Sequence, residues 1–360
     1  MHVTKALRRS LAAGLMATAL AFSFAGSADA APKKDFKLAW SIYVGWMPWQ
    51  WAAEQRIVKK WADKYGISID VVQVNDYVES INQYTAGGFD AVTLTNMDGL
   101  SIPAAGGIDT TALLVGDFSN GNDAVILKDK TALADIKGQK VNLVEFSVSH
   151  YLLARALASI GLTERDLSVV STSDADMVAA WATPEVTAVV TWNPLVAEII
   201  ATPGANKVFD SSQIPGEIID LTAVNTETLK DNPAFGKALA GAWYETMAIM
   251  SSDTPEGKAA REAMGKASGT DLAGYEAQLK ATRMFFKPDE AAAFAKSPEI
   301  GATMDHVRSF LFDHGLLGNG ADSADVVGIE LADGKVLGDT GNVKFRFTDA
   351  YMADAAAGKL

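Results

Sequence analysis

The sequence predicts an α/β protein of two lobes, joined by two crossings of the chain and followed by a helical tail. Three observations lead there. Short apolar runs alternate with segments of helical period as far as Ile200. Two stretches break that alternation, Asp117 to Asp123 and Gln213 to Leu221. Beyond Asn225 the chain becomes Ala-rich and helix-like.

In the first lobe, Phe36 to Tyr43 reads as a strand. Pro48 suits the first turn of a helix, where its missing N–H is harmless, so Trp49 to Tyr65 is expected as one helix ended by Gly66. Strands follow at Ile67 to Val74, Phe89 to Thr95 and Thr111 to Phe118. Helices at Val78 to Ala86 and Met97 to Ala105 separate them. This β-α-β order predicts a parallel sheet with crossover helices. In the second lobe, strands are expected at Lys140 to Val144, Leu167 to Ser171 and Val186 to Thr191. Their helices are Ser149 to Ile160, Met177 to Trp181 and Pro194 to Ile200. The expected division is residues 31–120 with 222–360 for lobe one and its tail, and 121–221 for lobe two. Tail helices are expected at Phe235 to Met250, Lys258 to Ala267, Asp289 to Ala295 and Thr303 to His314.

Four apparent strand ends carry residues suited to gripping a small molecule. They are Gly45-Trp46-Met47-Pro48-Trp49, Thr95-Asn96-Met97-Asp98, Glu145-Phe146-Ser147-Val148-Ser149 and Thr191-Trp192-Asn193-Pro194. In open α/β sheets the crevice at the strand ends is where ligands bind. Two of the four fall in each lobe, which points to a ligand held between lobes.

Residues 1–30 read as an export leader: Lys5, Arg8 and Arg9 precede an apolar Leu11 to Gly26, and Ala28-Asp29-Ala30 fits cleavage before Ala31. The expected location is the periplasm. The chain has no cysteine, so the fold relies on its core rather than on disulfides. The roughly 330 residues after the leader suffice for two lobes. The net charge of −13 argues against a nucleic-acid partner, which needs a basic face.

The segment Asp135-Ile136-Lys137-Gly138-Gln139-Lys140-Val141, followed by Ser149-His150-Tyr151-Leu152-Leu153-Ala154-Arg155-Ala156-Leu157, resembles the nitrate/sulfonate/taurine branch of ABC-importer solute-binding proteins. Phe89-Asp90-Ala91-Val92 suits the same branch, and the resemblance covers nearly the whole chain after the leader. Within it, Gly45-Trp46-Met47-Pro48-Trp49-Gln50-Trp51 and Thr95-Asn96-Met97-Asp98 look most similar to binding proteins associated with urea carboxylase-type enzymes, of the urea and guanidine group. The resemblance implies a type II periplasmic binding fold that closes over one solute between its lobes. It also implies a monomer that delivers this solute to an inner-membrane permease and its ATPase, with no catalysis and no cofactor. Guanidinium is the expected ligand. Urea is the alternative, followed by taurine, another sulfonate or a pyrimidine-type solute. The four strand ends contain no Arg or Lys, which argues against an anion.

Trp46 and Trp192 are the expected stacking pair, since an indole face attracts a flat cation. Asp98 and Glu145 are the expected charge partners, because a carboxylate accepts parallel N–H bonds from a planar fork. Asn96, Ser147 and Ser149 would supply further oxygens. Tyr43, at the end of the first strand, and Asn193 complete the candidate set. Several have a competing structural role: helix capping for Asp98 and Asn193, core filling for the tryptophans, a salt bridge for Glu145. Asn75, Asp76 and Tyr77 are assigned to the rim or to a helix cap. No Gly-x-Ser-x-Gly, His-Glu-x-x-His or phosphate loop is present. His150, His306 and His314 have no metal-site spacing. A carboxylate-based hydrolase built on Asp98 and Glu145, or a sensor subunit binding the same solute, are the remaining alternatives.

Overall fold

The computed structural model describes residues 33–318 and 320–360. The expected leader and its cleavage before Ala31 lie outside the described residues. No helix among the described residues is long and apolar enough to cross a membrane.

Among the described residues, fourteen strands form two sheets. The early strands are β1 (Asp35–Trp40), β2 (Ser68–Gln73), β3 (Ala91–Thr95) and β4 (Thr110–Ser119). Next come β5 (Asp123–Lys128), β6 (Lys140–Leu143), β7 (Ser168–Ser171), β8 (Ala188–Trp192) and β9 (Ala205–Asp210). The last are β10 (Ile219–Asn225), β11 (Thr282–Met284), β12 (Gly328–Glu330), β13 (Val336–Leu337) and β14 (Val343–Phe347). Sheet one runs β13-β12-β14-β4-β10-β3-β1-β2, with β11 also on β4; sheet two runs β7-β6-β8-β5-β9.

Both sheets are mixed, where the sequence predicted a parallel sheet for the first lobe. β10 lies between β3 and β4 and is antiparallel to both. The reason is topological. The chain leaves sheet one at the C-terminal end of β4 and re-enters at that same end, so the returning strand must run backwards. β5 is likewise antiparallel to β8 and β9. The second crossing is shorter than Gln213 to Leu221, because β10 already begins at Ile219.

Two expected helices are broken. Trp49 to Tyr65 is two helices, Met47–Glu54 and Ile57–Lys64, separated by Arg56 in the left-handed region (φ 62°). The turn lets Trp61 lie flat on Gly241 of the long helix Pro233–Met250, where an added Cβ would fall 2.3 Å from the indole. Met97 to Ala105 is a short helix, Asn96–Gly99, opening into a wider turn that carries Pro103. The tail is not purely helical: β14 (Val-Lys-Phe-Arg-Phe) alternates with period two, buries Phe345 and Phe347, and extends sheet one through β4.

Candidate functional site

The two sheets meet at their strand ends around a small cavity. Four aromatic side chains wall it: Tyr43, Trp46, Tyr77 and Trp192. They form a continuous series, with ring centroids 4.8 Å apart for Tyr43–Trp46, 5.6 Å for Trp46–Tyr77 and 5.5 Å for Tyr77–Trp192. Thr95, Val148 and Ile218 contribute to the wall, and two carboxylates, Asp123 and Asp220, complete it. No Lys, Arg or His lines the cavity among the described residues.

Strand register places these acids. Asp220 on β10 stands between Thr95 of β3 and Asp117 of β4. Asp123, first in β5, stands opposite Trp192, last in β8. Behind the wall lie two more acids, each held by a wall residue. Asp117 accepts the Tyr43 hydroxyl at 2.7 Å. Asp98 accepts Tyr77 Oη–H at 2.6 Å and Thr95 Oγ1–H at 2.9 Å. Asp123 accepts Ser119 Oγ–H at 2.5 Å. Asp117 Oδ2 and Asp220 Oδ2 are buried with no partner other than each other's carboxyl, and the Trp46 Nε1–H is buried with no acceptor. A buried unpaired oxygen is costly unless something else satisfies it.

Gly45 makes this packing possible. A Cβ there would fall 2.3 Å from Asp117 Oδ2 and 2.6 Å from the Tyr43 ring. The glycine that opens the Gly-Trp-Met-Pro-Trp stretch thus lets the turn after β1 close over the acid.

Desolvation dominates the protonation of all four acids. Burial pushes Asp98 up to about 6, against the hydrogen bonds from Tyr77 and Thr95. It pushes Asp123 up to about 7, against the bond from Ser119. Asp220 is raised well above the usual carboxylate range by burial and then by its neighbours Asp117 and Asp123. Asp117 is raised by burial as well. Burial and the adjoining carboxylates also hold the Tyr43 and Tyr77 phenols well above their ordinary value.

The expected residues divide. Tyr43, Trp46 and Trp192 line the cavity, and Asp98 stands directly behind it. Asn96 is buried but occupied at both ends, receiving the Ile219 N–H and donating to the Glu217 carbonyl. Ser147 caps the helix Val148–Ser159, and Asn193 accepts the Ala197 N–H in the first turn of its helix. Ser149 Oγ is buried without a partner but is outside the lining. Glu145 is half-buried and does not line the cavity. The turn after β6 passes through Phe146 in the left-handed region, with Phe146 exposed. The carboxylates at the cavity are instead Asp123 and Asp220. Tyr77, assigned from sequence to the rim, is a wall residue, while Asp76 does cap its helix. An acid inside an otherwise apolar strand, as in Ile218-Ile219-Asp220-Leu221, was the signal available for Asp220.

His150, Glu164 and His314 converge elsewhere, with ligand-capable atoms within 4.8 Å of one another. His150 Nδ1 accepts the Phe146 N–H at 3.1 Å, so its Nε2 carries the proton and faces Glu164 rather than offering a lone pair.

Comparison with known proteins gives the family. A Brucella abortus (strain 2308) protein, described by its name as a binding protein, is 24% identical over 230 residues, 64% of this chain. The chain spans 65% of that relative's length. The alkanesulfonate-binding protein SsuA from Xanthomonas axonopodis pv. citri, bound to MOPS, superposes with a TM-score of 0.65 at 16% identity, over 81% of this chain and 96% of that one. The Escherichia coli periplasmic aliphatic sulphonate binding protein SsuA gives 0.64 at 18%, over 80% and 95%. The nitrate-binding protein NrtA from Synechocystis PCC 6803 gives 0.60 at 13%, over 91% and 90%. At such identities these structures establish the fold, the type II periplasmic binding arrangement of two mixed sheets. A family match over residues 36–265, from β1 into the helix Pro255–Ala267 and so across both sheets and the cavity, decides the rest: the chain belongs to the NMT1-like family.

Proposed function

We propose that this is a periplasmic solute-binding protein that captures a small planar cation, guanidinium, between its lobes and delivers it to the permease and ATPase of an ABC importer. The observation that carries the reading is a small aromatic cavity with two buried carboxylates in its wall and two behind it. The cavity is small, far below the size that drug-sized ligands need, and can suit only a solute of few atoms. A guanidinium offers six N–H donors and a flat positive face. The carboxylates take the donors and the indoles take the face. Sulfonate and nitrate, named for the structural relatives, would meet acids and find no basic partner in the lining. Hinge movement would occur where the sheets connect, between β4 and β5 and between β9 and β10.

A second reading rests on one atom. Trp46 Nε1–H is buried without an acceptor, and guanidinium has none to give. Urea has a carbonyl oxygen, and acids held neutral by burial can hydrogen-bond a neutral solute.

Calorimetric titration of ligand-stripped protein with guanidinium chloride at low concentration, with urea in parallel, tests both. Saturable one-to-one guanidinium binding, with urea much weaker, supports the cation site. Tight urea binding without a guanidinium signal replaces it with a neutral-amide site. Silence from both removes the ligand assignment.

A further inference from the structure

The cavity contains more carboxylates than one monovalent cation can neutralise, and their arrangement decides what happens to the excess. Asp117 and Asp220 are direct cross-strand neighbours on β4 and β10, 0% and 3% exposed. Their side chains lie within hydrogen-bonding reach of each other, and apart from that contact each Oδ2 has no partner. The groups acting on this pair come from every side of the cavity. Tyr43, after β1, donates to Asp117 Oδ1. Asp123 approaches from β5. Tyr275, on the tail helix Leu272–Lys280, lies close enough to feel the Asp117 charge, while its hydroxyl donates to the Val44 carbonyl. Behind the wall, the charge of Asp98, held by Tyr77, reaches Asp123. These are acids and phenols. Two carboxylates opposed in a dry rung of sheet cannot both ionise without a counter-charge. Gly45 packs against Asp117 and closes the turn over the pair.

We propose that the site works by exchange: the Asp117–Asp220 pair holds one proton while the cavity lacks a cation, and gives that proton to solvent as guanidinium binds. One carboxyl O–H bond breaks, its electron pair stays on the carboxylate, and the proton leaves to water. No electrons are transferred. The charge of the cavity is the same before and after, because one positive charge replaces another. Affinity therefore depends on pH although guanidinium itself does not titrate in the range. Below the pKa of the pair, binding weakens tenfold for each pH unit, and Asp123, pushed up to about 7, steepens that fall at lower pH; above the pKa of the pair, binding is flat. This inference rests on the guanidinium reading and adds what the solute must displace.

The test is guanidinium calorimetry at pH 8, above the values to which burial pushes Asp98 and Asp123, in phosphate, imidazole and Tris, whose protonation enthalpies differ. The slope of observed enthalpy against buffer enthalpy counts protons. The expected result is about one proton released per guanidinium bound, with Kd rising as pH falls from 8 to 5. Asp117→Asn, which keeps an acceptor for Tyr43, should bring the count to near zero, and Asp220→Asn should do the same. The parent protein suffices if neither variant folds, since its own proton count and pH profile decide the matter. Saturable binding at pH 8 with zero slope overturns the exchange and leaves the cation site standing. No guanidinium binding in any buffer overturns both.

Discussion

Replacing Asp123 by asparagine should weaken binding and strengthen the unliganded fold at the same time. Asp123 is 3% exposed, lines the cavity, faces Trp192 across the sheet and accepts the Ser119 hydroxyl. Asparagine keeps the size and an acceptor oxygen but removes the charge. A charge-assisted hydrogen bond contributes about 1.5–3 kcal/mol, so guanidinium Kd should rise by about 10- to 150-fold. Stability moves the other way. Burial raises this carboxyl from 3.8 to about 7, so the folded state keeps a proton that the unfolded chain has lost. Unliganded stability therefore falls as pH rises from about 4 to about 7, by up to about 1.4 kcal/mol per pH unit and about 4 kcal/mol in full. The neutral amide of the Asp123→Asn variant has no such loss. Scanning calorimetry of both proteins from pH 4.5 to 7.5 should show the variant gaining on the parent as pH rises, while titration shows weaker binding. A pH-independent stability difference together with an unchanged Kd would refute the reasoning, because an acid in this cavity must affect both.

Three further outcomes are expected. Trp192→Ala should weaken guanidinium binding by up to about 2 kcal/mol, roughly 30-fold, and reduce the ligand-induced change in tryptophan fluorescence; unchanged values for both would remove the indole from the site. Gly45→Ala forces a Cβ to within 2.3 Å of Asp117 Oδ2, and should cost about 1–3 kcal/mol in thermal stability as well as disturbing binding; a parent-like melting curve would contradict the close packing. His314 has both ring nitrogens on oxygens, Nε2 at 2.7 Å from Glu164 and Nδ1 at 2.8 Å from the Phe310 carbonyl, and the Glu164 bond raises its pKa. Glu164 is lowered to about 2, the two histidine bonds outweighing its burial. The pair thus stabilises the fold from about pH 4.5 up to 6.5. The carboxylate's share is lost as pH falls through about 2. The imidazolium's share is lost as pH rises through the raised His314 pKa. His314→Gln should cost about 1 kcal/mol at pH 5.5 and progressively less above pH 7; a cost that grows with pH would be the wrong sign.

Much of the architecture was legible locally. The period-two and helical patterns located β1, β2, β3, β4, β6, β7 and β8, and the chemistry at strand ends picked out Tyr43, Trp46 and Trp192, which do line the cavity. The stretch that holds Trp46 also holds Trp49, which is fully buried and outside the lining, so local sequence marked the place without separating wall from core. Asp98 was legible only as to place: it lies at the site, but its hydrogen bonds to Tyr77 and Thr95 seat it behind the wall.

The carboxylates at the wall were decided by tertiary structure. Asp220 reaches the site because β10 returns antiparallel between β3 and β4, which sets it beside Asp117 and Thr95, residues about a hundred positions away. Asp123 reaches it because β5 starts at the crossing and pairs with the end of β8. Glu145 has the right charge at an apparent strand end, yet the left-handed turn at Phe146 leaves it outside the lining. The strands β5, β9, β10 and β11 to β13 also escaped, each being fixed mainly by its partner strand, while β14 carried a period-two pattern in a tail read as helical. Side-chain type and period are properties of neighbours along the chain, and the sequence determines them directly. Which acid faces which is a property of register, set only when distant strands pair and the cavity closes around them.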